Sequence, residues 1–294
     1  MKKKLLFIYN PKAGKGRIRT SLADILDLFA SHDYEITVHP TTKRDDARLT
    51  MVDRSREYEL IVGCGGDGTL DEIVTGMIES GFVTPLGYIP GGSTNDFGES
   101  LKLSKNMINA ARTVVEGKNF ECDMGSFNDD IFVYIAAFGL FTDVSYETDQ
   151  DMKNVLGYLA YILEGMKRLS NVKSYPLKIT YDDQVIEDEF VFGMVTNSRS
   201  VGGFKNITGR NVKMDDGLFE VTLIKMPQNP AEVNSIMVSL LNRDIDSEMM
   251  HCFRTGEITV QSKEPLAWTL DGENGGMHKT AVIKNLHHAI QIKT

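Results

Sequence analysis

The sequence predicts two domains: an α/β N-terminal domain with an open, mainly parallel, Rossmann-like sheet over residues 1–124, and a C-terminal β-sandwich domain with inserted helices over residues 125–294. Up to about residue 124, strand-like and helix-like segments alternate, which is the order of a parallel sheet covered by helices. Beyond that point strand-like runs dominate, and turn signals separate them. The final apolar run, 289–292, fits either domain, so the sequence leaves open whether the C-terminal segment returns to the first one.

Hydrophobic periodicity assigns the individual elements, because buried strands read as apolar runs and helices as apolar residues spaced three or four apart. The first domain is predicted to contain strands at 4–9, 34–39, 60–62 and 86–89 and helices at 21–30, 45–55, 69–78 and 106–115. The second is predicted to contain strands at 131–138, 177–181, 189–196, 218–224, 257–261 and 281–283 and helices at 155–169 and 231–241.

The composition is that of a globular protein and excludes several classes. Hydrophobic residues make up 41% and charged residues 25% of the 294, and no apolar run reaches the ~18 residues of a membrane-spanning helix. Three widely spaced cysteines argue against a disulfide framework or a cysteine zinc site and favour a reducing cytoplasm. The net charge of −9 argues against a nucleic-acid binder.

The most informative segment is the glycine-rich turn Gly65-Gly66-Asp67-Gly68-Thr69, which follows the strand at 60–62 and opens a helix. A strand, a glycine turn and a helix N-terminus aim backbone N–H groups and the helix dipole at an anion. The carboxylate of Asp67 would repel a phosphate unless a cation accompanied it, so the turn predicts a phosphate site that also handles a metal. Residues 63–68 also fit the dinucleotide pattern G-x-G-x-x-G, but they are not in the first βα unit.

Two further glycine-rich turns, 10–16 and 90–97, follow the first and fourth strands. In an open α/β sheet such turns lie at the carboxyl ends of the strands, where ligands bind. Gly14-Lys15-Gly16 lacks the full spacing of a Walker P-loop, so a P-loop is not indicated.

Taken together, these three turns resemble the motifs of the diacylglycerol kinase catalytic family, in the same order along the chain, and in size and layout the sequence is similar to its soluble bacterial members. Two later segments, 215–218 and 271–273, match further landmarks of that family. Two positions depart from its pattern: Asp71 stands where Asn is usual, and Ser93 where Thr is commoner.

The resemblance implies ATP and Mg²⁺ as cofactors and a specific set of contacts. The residues implied to bind ATP are Asn10, Pro11, Lys12, Ala13, Gly14, Thr41, Gly65, Gly66, Asp67, Gly68, Thr69, Leu70, Asp71, Glu72, Gly92 and Ser93. Asp67 would hold Mg²⁺ directly or through water, because Mg²⁺ prefers a few carboxylates and several waters. Asp96 and Asp123 would extend a water-linked acidic network, the alternative being ordinary turn or capping residues.

The later landmarks are expected to supply a base and a structural metal site. Asp271-Gly272-Glu273 follows a strand, and a carboxylate there can accept a proton from a hydroxyl. By resemblance Glu273 is the expected base and Asp271 its close competitor, whereas without the resemblance a surface hairpin is the better interpretation. The family also suggests a structural Mg²⁺ held by Asp216 and the main-chain carbonyls of Lys213 and Leu218, with a plain type I turn as the alternative.

We therefore expect a lipid kinase that transfers the γ-phosphoryl group of ATP to a lipid alcohol, with diacylglycerol as the favoured acceptor and phosphatidic acid as the product. The alternatives are an NAD-kinase-like phosphotransferase and a catalytically inactive nucleotide-binding regulator.

The expected location is cytoplasmic, with peripheral contact at the inner face of a membrane, and a homodimer is compatible with the sequence. Residues 1–19 carry seven basic and no acidic side chains, which suit either a solvated terminus or a nucleotide or anionic lipid surface. The helix at 155–169, flanked by Lys153, Lys167 and Arg168, would line a lipid entrance or else belong to the core.

The histidines at 251, 278, 287 and 288 show no ligand spacing, which favours surface or structural roles.

Overall fold

The computed structural model describes residues 2–139, 173–201, 204–205, 212–242 and 247–294. The chain divides into two compact units, Met1–Met124 with His287–Thr294, and Gly125–Leu286. The last eight residues therefore belong to the first unit, which answers the question that the sequence left open. The helix expected at 155–169 lies outside the described residues.

The first unit contains a parallel sheet with the strand order β2-β1-β3-β4. Its strands are β1 (Lys3–Tyr9), β2 (Tyr34–Pro40), β3 (Leu60–Gly65) and β4 (Leu86–Pro90). Its helices are α1 (Ile18–Ser31), α2 (Asp46–Arg54), α3 (Asp67–Ser80), α4 (Asp96–Ser100) and α5 (Met107–Glu116). A short 3-10 turn, Ala13–Gly16, precedes α1, and another, Ser55–Glu57, follows α2.

Burial of one apolar face explains why these segments adopt their structure. Leu5 and Phe7 of β1 and Val62 of β3 are fully buried. They share one core with Ile25 and Phe29 of α1, whose four-residue spacing places both side chains on the same helix face.

The second unit is antiparallel, with the strand order β13-β12-β9-β7-β14-β15. Its strands are β6 (Asp130–Phe132), β7 (Ile135–Gly139), β8 (Tyr175–Tyr181), β9 (Gln184–Thr196), β10 (Ser200–Val201), β11 (Phe204–Lys205), β12 (Phe219–Lys225), β13 (Met250–Thr255) and β14 (Glu257–Leu270). One helix, α6 (Pro230–Asn242), is inserted after β12. The core is built around Trp268, whose ring centroid lies 4.9 Å from that of Phe127 and 5.0 Å from that of Phe138.

Two strands run from one unit into the other: β5 (Asn119–Phe127) and β15 (Glu273–Lys293), which pair with each other. Within the first unit, the amide of Lys118 donates to the carbonyl of Thr294, and the amide of Thr294 donates back to Lys118, both at 3.0 Å. Ile290 and Ile292 of this last segment are buried. The C-terminal residues are thus an integral part of the first unit.

The prediction of one strand over residues 131–138 is wrong, because the structure has two strands there, β6 and β7, separated by Val133 and Tyr134. The amides of Val133, Tyr134 and Ile135 point instead at the carboxylate of Asp271. The carboxylate oxygens of Asp271, 136 or more residues away in the sequence, accept these three hydrogen bonds. Hydrophobic periodicity cannot predict a contact between residues so far apart.

Candidate active site

The three glycine turns meet at one edge of the first unit's sheet, because the strands before them are parallel neighbours. The amide of Asn10 donates to the carbonyl of Cys64 at 2.9 Å, and the amide of Gly91 donates to that of Gly65 at 2.7 Å. The side chain of Asn10 reaches the helix α3, where its amide nitrogen lies 3.4 Å from the hydroxyl of Thr69. The structure therefore brings together the turns that the sequence predicted to share a site.

Glycine is required where these turns approach each other. A Cβ on Gly14, whose φ is +53°, would lie 2.1 Å from the carbonyl oxygen of Gly91. A Cβ on Gly92 would lie 2.6 Å from the Cα of Gly66. Backbone therefore packs directly on backbone, and any side chain larger than a hydrogen atom at these positions would force the turns apart.

We expect Gly14→Ala to weaken nucleotide binding by at least about tenfold, because the added methyl group forces the first and third turns apart. Titration of an ATP analogue by calorimetry would measure the change. Gly81→Ala is the matched control, since Gly81 also has a positive φ (+64°) but no atom within 4 Å of the added Cβ. Equal affinities in the two variants would contradict the prediction.

Two residues that the sequence analysis did not assign hold the second and third turns in place. Asn95, in the left-handed conformation, accepts the amide of Gly92 at 2.8 Å, and its own amide group donates to the carbonyl of Gly92 at 2.9 Å. The hydroxyl of Tyr88 donates to the carbonyl of Gly65 at 3.1 Å. The position of Asn95 within the glycine-rich turn 90–97 is a signal for its role, because Asn tolerates left-handed backbone. Tyr88 gave none, since it reads as an ordinary apolar strand residue.

Asp67 is the first residue of α3 and lies among these turns. One of its carboxylate oxygens, Oδ2, accepts the hydroxyl of Thr94 and the amide of Asp96, both at 3.3 Å. The other, Oδ1, is buried and has no hydrogen-bond partner. Burial, reinforced by the charge of Asp96, raises the pKa of the Asp67 carboxyl to about 6. Asp67 Oδ1 thus receives no hydrogen bond and lies near a second carboxylate, that of Asp96. Two carboxylates placed in this way can serve as ligands of a cation.

The remaining residues that were predicted to contact ATP occupy three kinds of position. Pro11, Lys12, Ala13, Gly68 and Ser93 lie in or beside the turns, where the amide of Lys12 is held at 2.9 Å by the side chain of Asn10. Thr41 follows β2, and its amide donates to the carbonyl of Tyr9 at the end of β1.

The other three predicted contacts lie on α3. Leu70 is buried in the interior and Asp71 is half-buried. The carboxylate of Glu72 accepts the amides of Asp45 at 2.9 Å and of Ala47 at 3.1 Å. Glu72 thus caps the start of α2, a role in holding two helices together that does not depend on a ligand. Its contact with ATP stays a prediction.

Asp123 lies on β5 with neighbours that the sequence did not indicate. Its fully buried Oδ1 lies 2.9 Å from His287 Nδ1 and accepts the amide of His288 at 2.8 Å. Asp67 and Asp96 do come together, whereas a water link from them to Asp123 stays a prediction. The sequence does not indicate that the two histidines contact Asp123, because they are more than 160 residues from it along the chain.

In the second unit, Asp271 and Glu273 have different environments. The Asp271 carboxylate is 8% exposed and accepts three backbone amides, those of Val133, Tyr134 and Ile135, at 2.5 to 2.9 Å. Glu273 begins β15 and is exposed. The Asp271 carboxylate therefore serves the fold by binding three backbone amides, and the choice between Glu273 and Asp271 as the base stays a prediction.

The turn proposed for a structural Mg²⁺ contains a competing cation. Asp216 accepts the amide of Leu218 at 3.3 Å, as in a simple turn. Its other oxygen accepts the guanidinium of Arg254, which also donates to Glu220 at 3.2 Å. Burial raises the pKa of the Glu220 carboxyl to about 7, although the Arg254 charge opposes that shift. A metal held by Asp216 and the carbonyls of Lys213 and Leu218 would share Asp216 with Arg254, and this site stays a prediction.

Glycine turns at the carboxyl ends of parallel strands, arranged around the buried carboxylate of Asp67, have the geometry that suits a phosphate group. The family model for the diacylglycerol kinase catalytic domain matches residues 4–127. The model for the YegS C-terminal NAD kinase beta sandwich-like domain matches residues 136–292.

Full-length relatives agree with both family models. Diacylglycerol kinase of Bacillus subtilis (strain 168) is 32% identical over 94% of this chain and 91% of its own length. Diacylglycerol kinase of Staphylococcus saprophyticus is 34% identical over 94% of this chain and 90% of its own. The crystal structure of a diacylglycerol kinase from Bacillus anthracis strain Sterne superposes with a TM-score of 0.82 at 29% identity, covering 99% of this chain and 97% of that one.

The chain belongs to the diacylglycerol kinase catalytic-domain family, and the resemblance predicted from its motifs is confirmed. The prediction of two domains, the second of them sandwich-like, is confirmed as well. Among the described residues, no helix is both long enough and apolar enough to cross a membrane.

Proposed function

We propose that this chain is a lipid kinase that transfers the γ-phosphoryl group of ATP to the hydroxyl of diacylglycerol and so forms phosphatidic acid. The observation that carries the proposal is the unpartnered, buried Oδ1 of Asp67 at the meeting point of three glycine turns. The names of the curated relatives support diacylglycerol as the acceptor.

Phosphoryl transfer requires that the phosphates be held in line and their charge neutralised. The backbone N–H groups of the turns and the N-terminus of α3 are suited to holding the phosphates. The residues present fit Mg²⁺, since Asp67 offers a buried oxygen and Asp96 a second carboxylate beside it. A Mg²⁺ ion bound there would neutralise the phosphate charge that these two carboxylates would otherwise repel.

The acceptor hydroxyl needs a base, and we assign this role to Glu273. Its carboxylate is exposed, whereas that of Asp271 is bound to three backbone amides. Asp271 also adopts the left-handed conformation (φ 51°), and the hydroxyl of Tyr134 donates to its carbonyl at 3.2 Å. We infer that Asp271 holds the turn that carries Glu273.

A lipid acceptor implies contact with a membrane surface, and we place the protein as a peripheral one on the inner face of the membrane. Exposed basic side chains surround the first glycine turn and the start of α1: Lys12, Lys15, Arg17 and Arg19. They would attract both a nucleotide and anionic lipid headgroups.

A phosphorylation assay with competing acceptors tests this function. Labelled ATP and Mg²⁺ are incubated with mixed micelles of diacylglycerol, ceramide and undecaprenol, and separately with NAD. We expect label in phosphatidic acid and none in NAD. Label in NAD and in no lipid would replace the proposal with the NAD-kinase-like alternative. No label in any acceptor, from protein that binds ATP, would favour the inactive regulator.

A further inference from the structure

A cluster of imidazole and carboxylate groups lies on the first unit, between β5 and the C-terminal residues of β15. In an extended strand, residues two apart point to the same face, so β5 presents Glu121 and Asp123 together. Residues 287 and 288 would ordinarily point to opposite faces. His288, however, adopts a left-handed conformation (φ 52°), and the two imidazole rings stack with centroids 3.7 Å apart.

Both histidines contact carboxylates of β5. His287 Nδ1 lies 2.9 Å from Asp123 Oδ1, and His288 Nδ1 lies 3.0 Å from Glu121 Oε2. The amide of His288 donates to the same Asp123 oxygen and so fixes that carboxylate in place. Asp123 is fully buried, whereas the side chains of His287 and His288 are 52% and 39% exposed. The cluster thus has one rigid ligand and two accessible imidazoles.

The distances suit a metal ion. One potential ligand atom from each of Asp123, His287 and His288 lies within 4.8 Å of the other two. Ligand atoms about 2.0–2.1 Å from a tetrahedral ion lie roughly 3.3 Å from one another. The longest separation would therefore have to shorten by up to about 1.5 Å, which the exposed histidine side chains can achieve by rotating. Carboxylates beside imidazoles are also the arrangement that orients metal-bound histidines.

We propose that Asp123, His287 and His288 form a binding site for a borderline divalent transition metal, of which Zn²⁺ is the representative, with Glu121 beside His288 to orient its imidazole. Imidazole together with carboxylate selects such ions over Mg²⁺, which prefers oxygen ligands and retains its waters. The site therefore differs in ligand chemistry from the Mg²⁺ site offered by Asp67 and Asp96, and it gives Asp123, which the sequence predicts to join their water-linked network, a different role.

The bound ion would cross-link β5 to the C-terminal segment of the first unit. Its ligands come from residues 123 and 287–288, which stand next to the two points where the chain passes between the units, 124–125 and 286–287. We therefore expect Zn²⁺ to stabilise the packing of residues 287–294, and this effect needs neither nucleotide nor lipid.

The test measures metal binding to the full chain without ATP or lipid, so its outcome does not depend on kinase activity. We expect one Zn²⁺ per chain by calorimetry of the metal-free protein, and His287→Ala and His288→Ala each to weaken that binding at least about tenfold. Co²⁺ should give visible absorption that both variants lose. The matched control is His32→Ala, since His32 is a half-exposed imidazole 3.8 Å from Glu116.

The proposal would be overturned by no Zn²⁺ or Co²⁺ binding, by equal affinity in the wild type and both variants, or by binding that His32→Ala weakens as much. Competition that favours Mg²⁺ over Zn²⁺ would do so as well. Far-ultraviolet circular dichroism checks that each variant is folded. If an alanine variant is not folded, His287→Gln and His288→Gln retain polar side chains and replace it.

Discussion

Asp67→Asn is expected to reduce turnover by about a thousandfold or more while making the metal-free protein more stable. The loss in turnover follows because the neutral amide cannot hold the cation that offsets the phosphate charge. The gain in stability follows because Oδ1 is buried without a partner beside Asp96, so the ionised carboxylate is costly in the metal-free fold. Steady-state kinetics and urea unfolding measure the two effects.

The pH dependence of stability gives this prediction a second signature. The pKa of Asp67 is raised from 3.8 to about 6 in the folded protein, so between these values the native state binds a proton that the unfolded chain has lost. Stability conferred by this group is therefore present below about pH 4 and is lost as the pH rises to about 6. Asp67→Asn abolishes this dependence, and its advantage of about 2 to 3 kcal/mol should be complete above pH 6 and vanish near pH 4.

The control for both readouts is Asp24→Asn, which changes an exposed carboxylate on α1. It should leave turnover and the pH profile of unfolding unchanged. If Asp67→Asn kept a tenth or more of wild-type turnover, Asp67 would not be the residue that holds the cation. A variant less stable than the wild type at pH 7 without Mg²⁺ would show that the carboxylate is satisfied in the fold.

The pair Glu273→Gln and Asp271→Asn should separate catalysis from folding. Glu273→Gln removes the proposed base and is expected to lower turnover about 10²- to 10⁴-fold with little change in unfolding free energy, since Glu273 is exposed. Asp271→Asn places an amide where three backbone N–H groups converge, so donors face donors. We expect a loss of at least about 3 kcal/mol in unfolding free energy, because hydrogen bonds to a charged group are the stronger ones.

Turnover and urea unfolding are measured for both variants, with ATP affinity as a check on the nucleotide site. The assignment fails if Glu273→Gln retains near-normal turnover while Asp271→Asn loses it at unchanged stability, since Asp271 would then be the base. A large loss of stability in Glu273→Gln would mean that Glu273 too serves the fold.

The sequence predicted what depends on local pattern. Strands β1 to β4 and helices α1 to α3 follow from apolar spacing. The turns at Gly14, Gly65 and Gly92 follow from the glycines themselves, because a side chain at these positions would collide with neighbouring atoms. These signals lie within a few residues of what they determine, so one chain is enough to read them.

Contacts between distant residues could not be predicted in the same way. The break between β6 and β7 depends on Asp271, and the neighbours of Asp123 depend on a left-handed residue at 288. Burial of one oxygen of Asp67 likewise depends on how three turns pack together. Such features arise from tertiary packing, on which local propensity and spacing carry no information.

The return of residues 287–294 to the first unit sets an order of events during synthesis. Ile290 and Ile292 belong to the buried interior, and Thr294 pairs with Lys118 through two backbone hydrogen bonds. A nascent chain that has only just emerged through residue 124 therefore lacks part of its own interior, although all three glycine turns have been made. The N-terminal unit can close only after the ribosome has translated the whole second unit, so folding from the N-terminus, usual for multidomain proteins, stays incomplete here until residues 287–294 have been made.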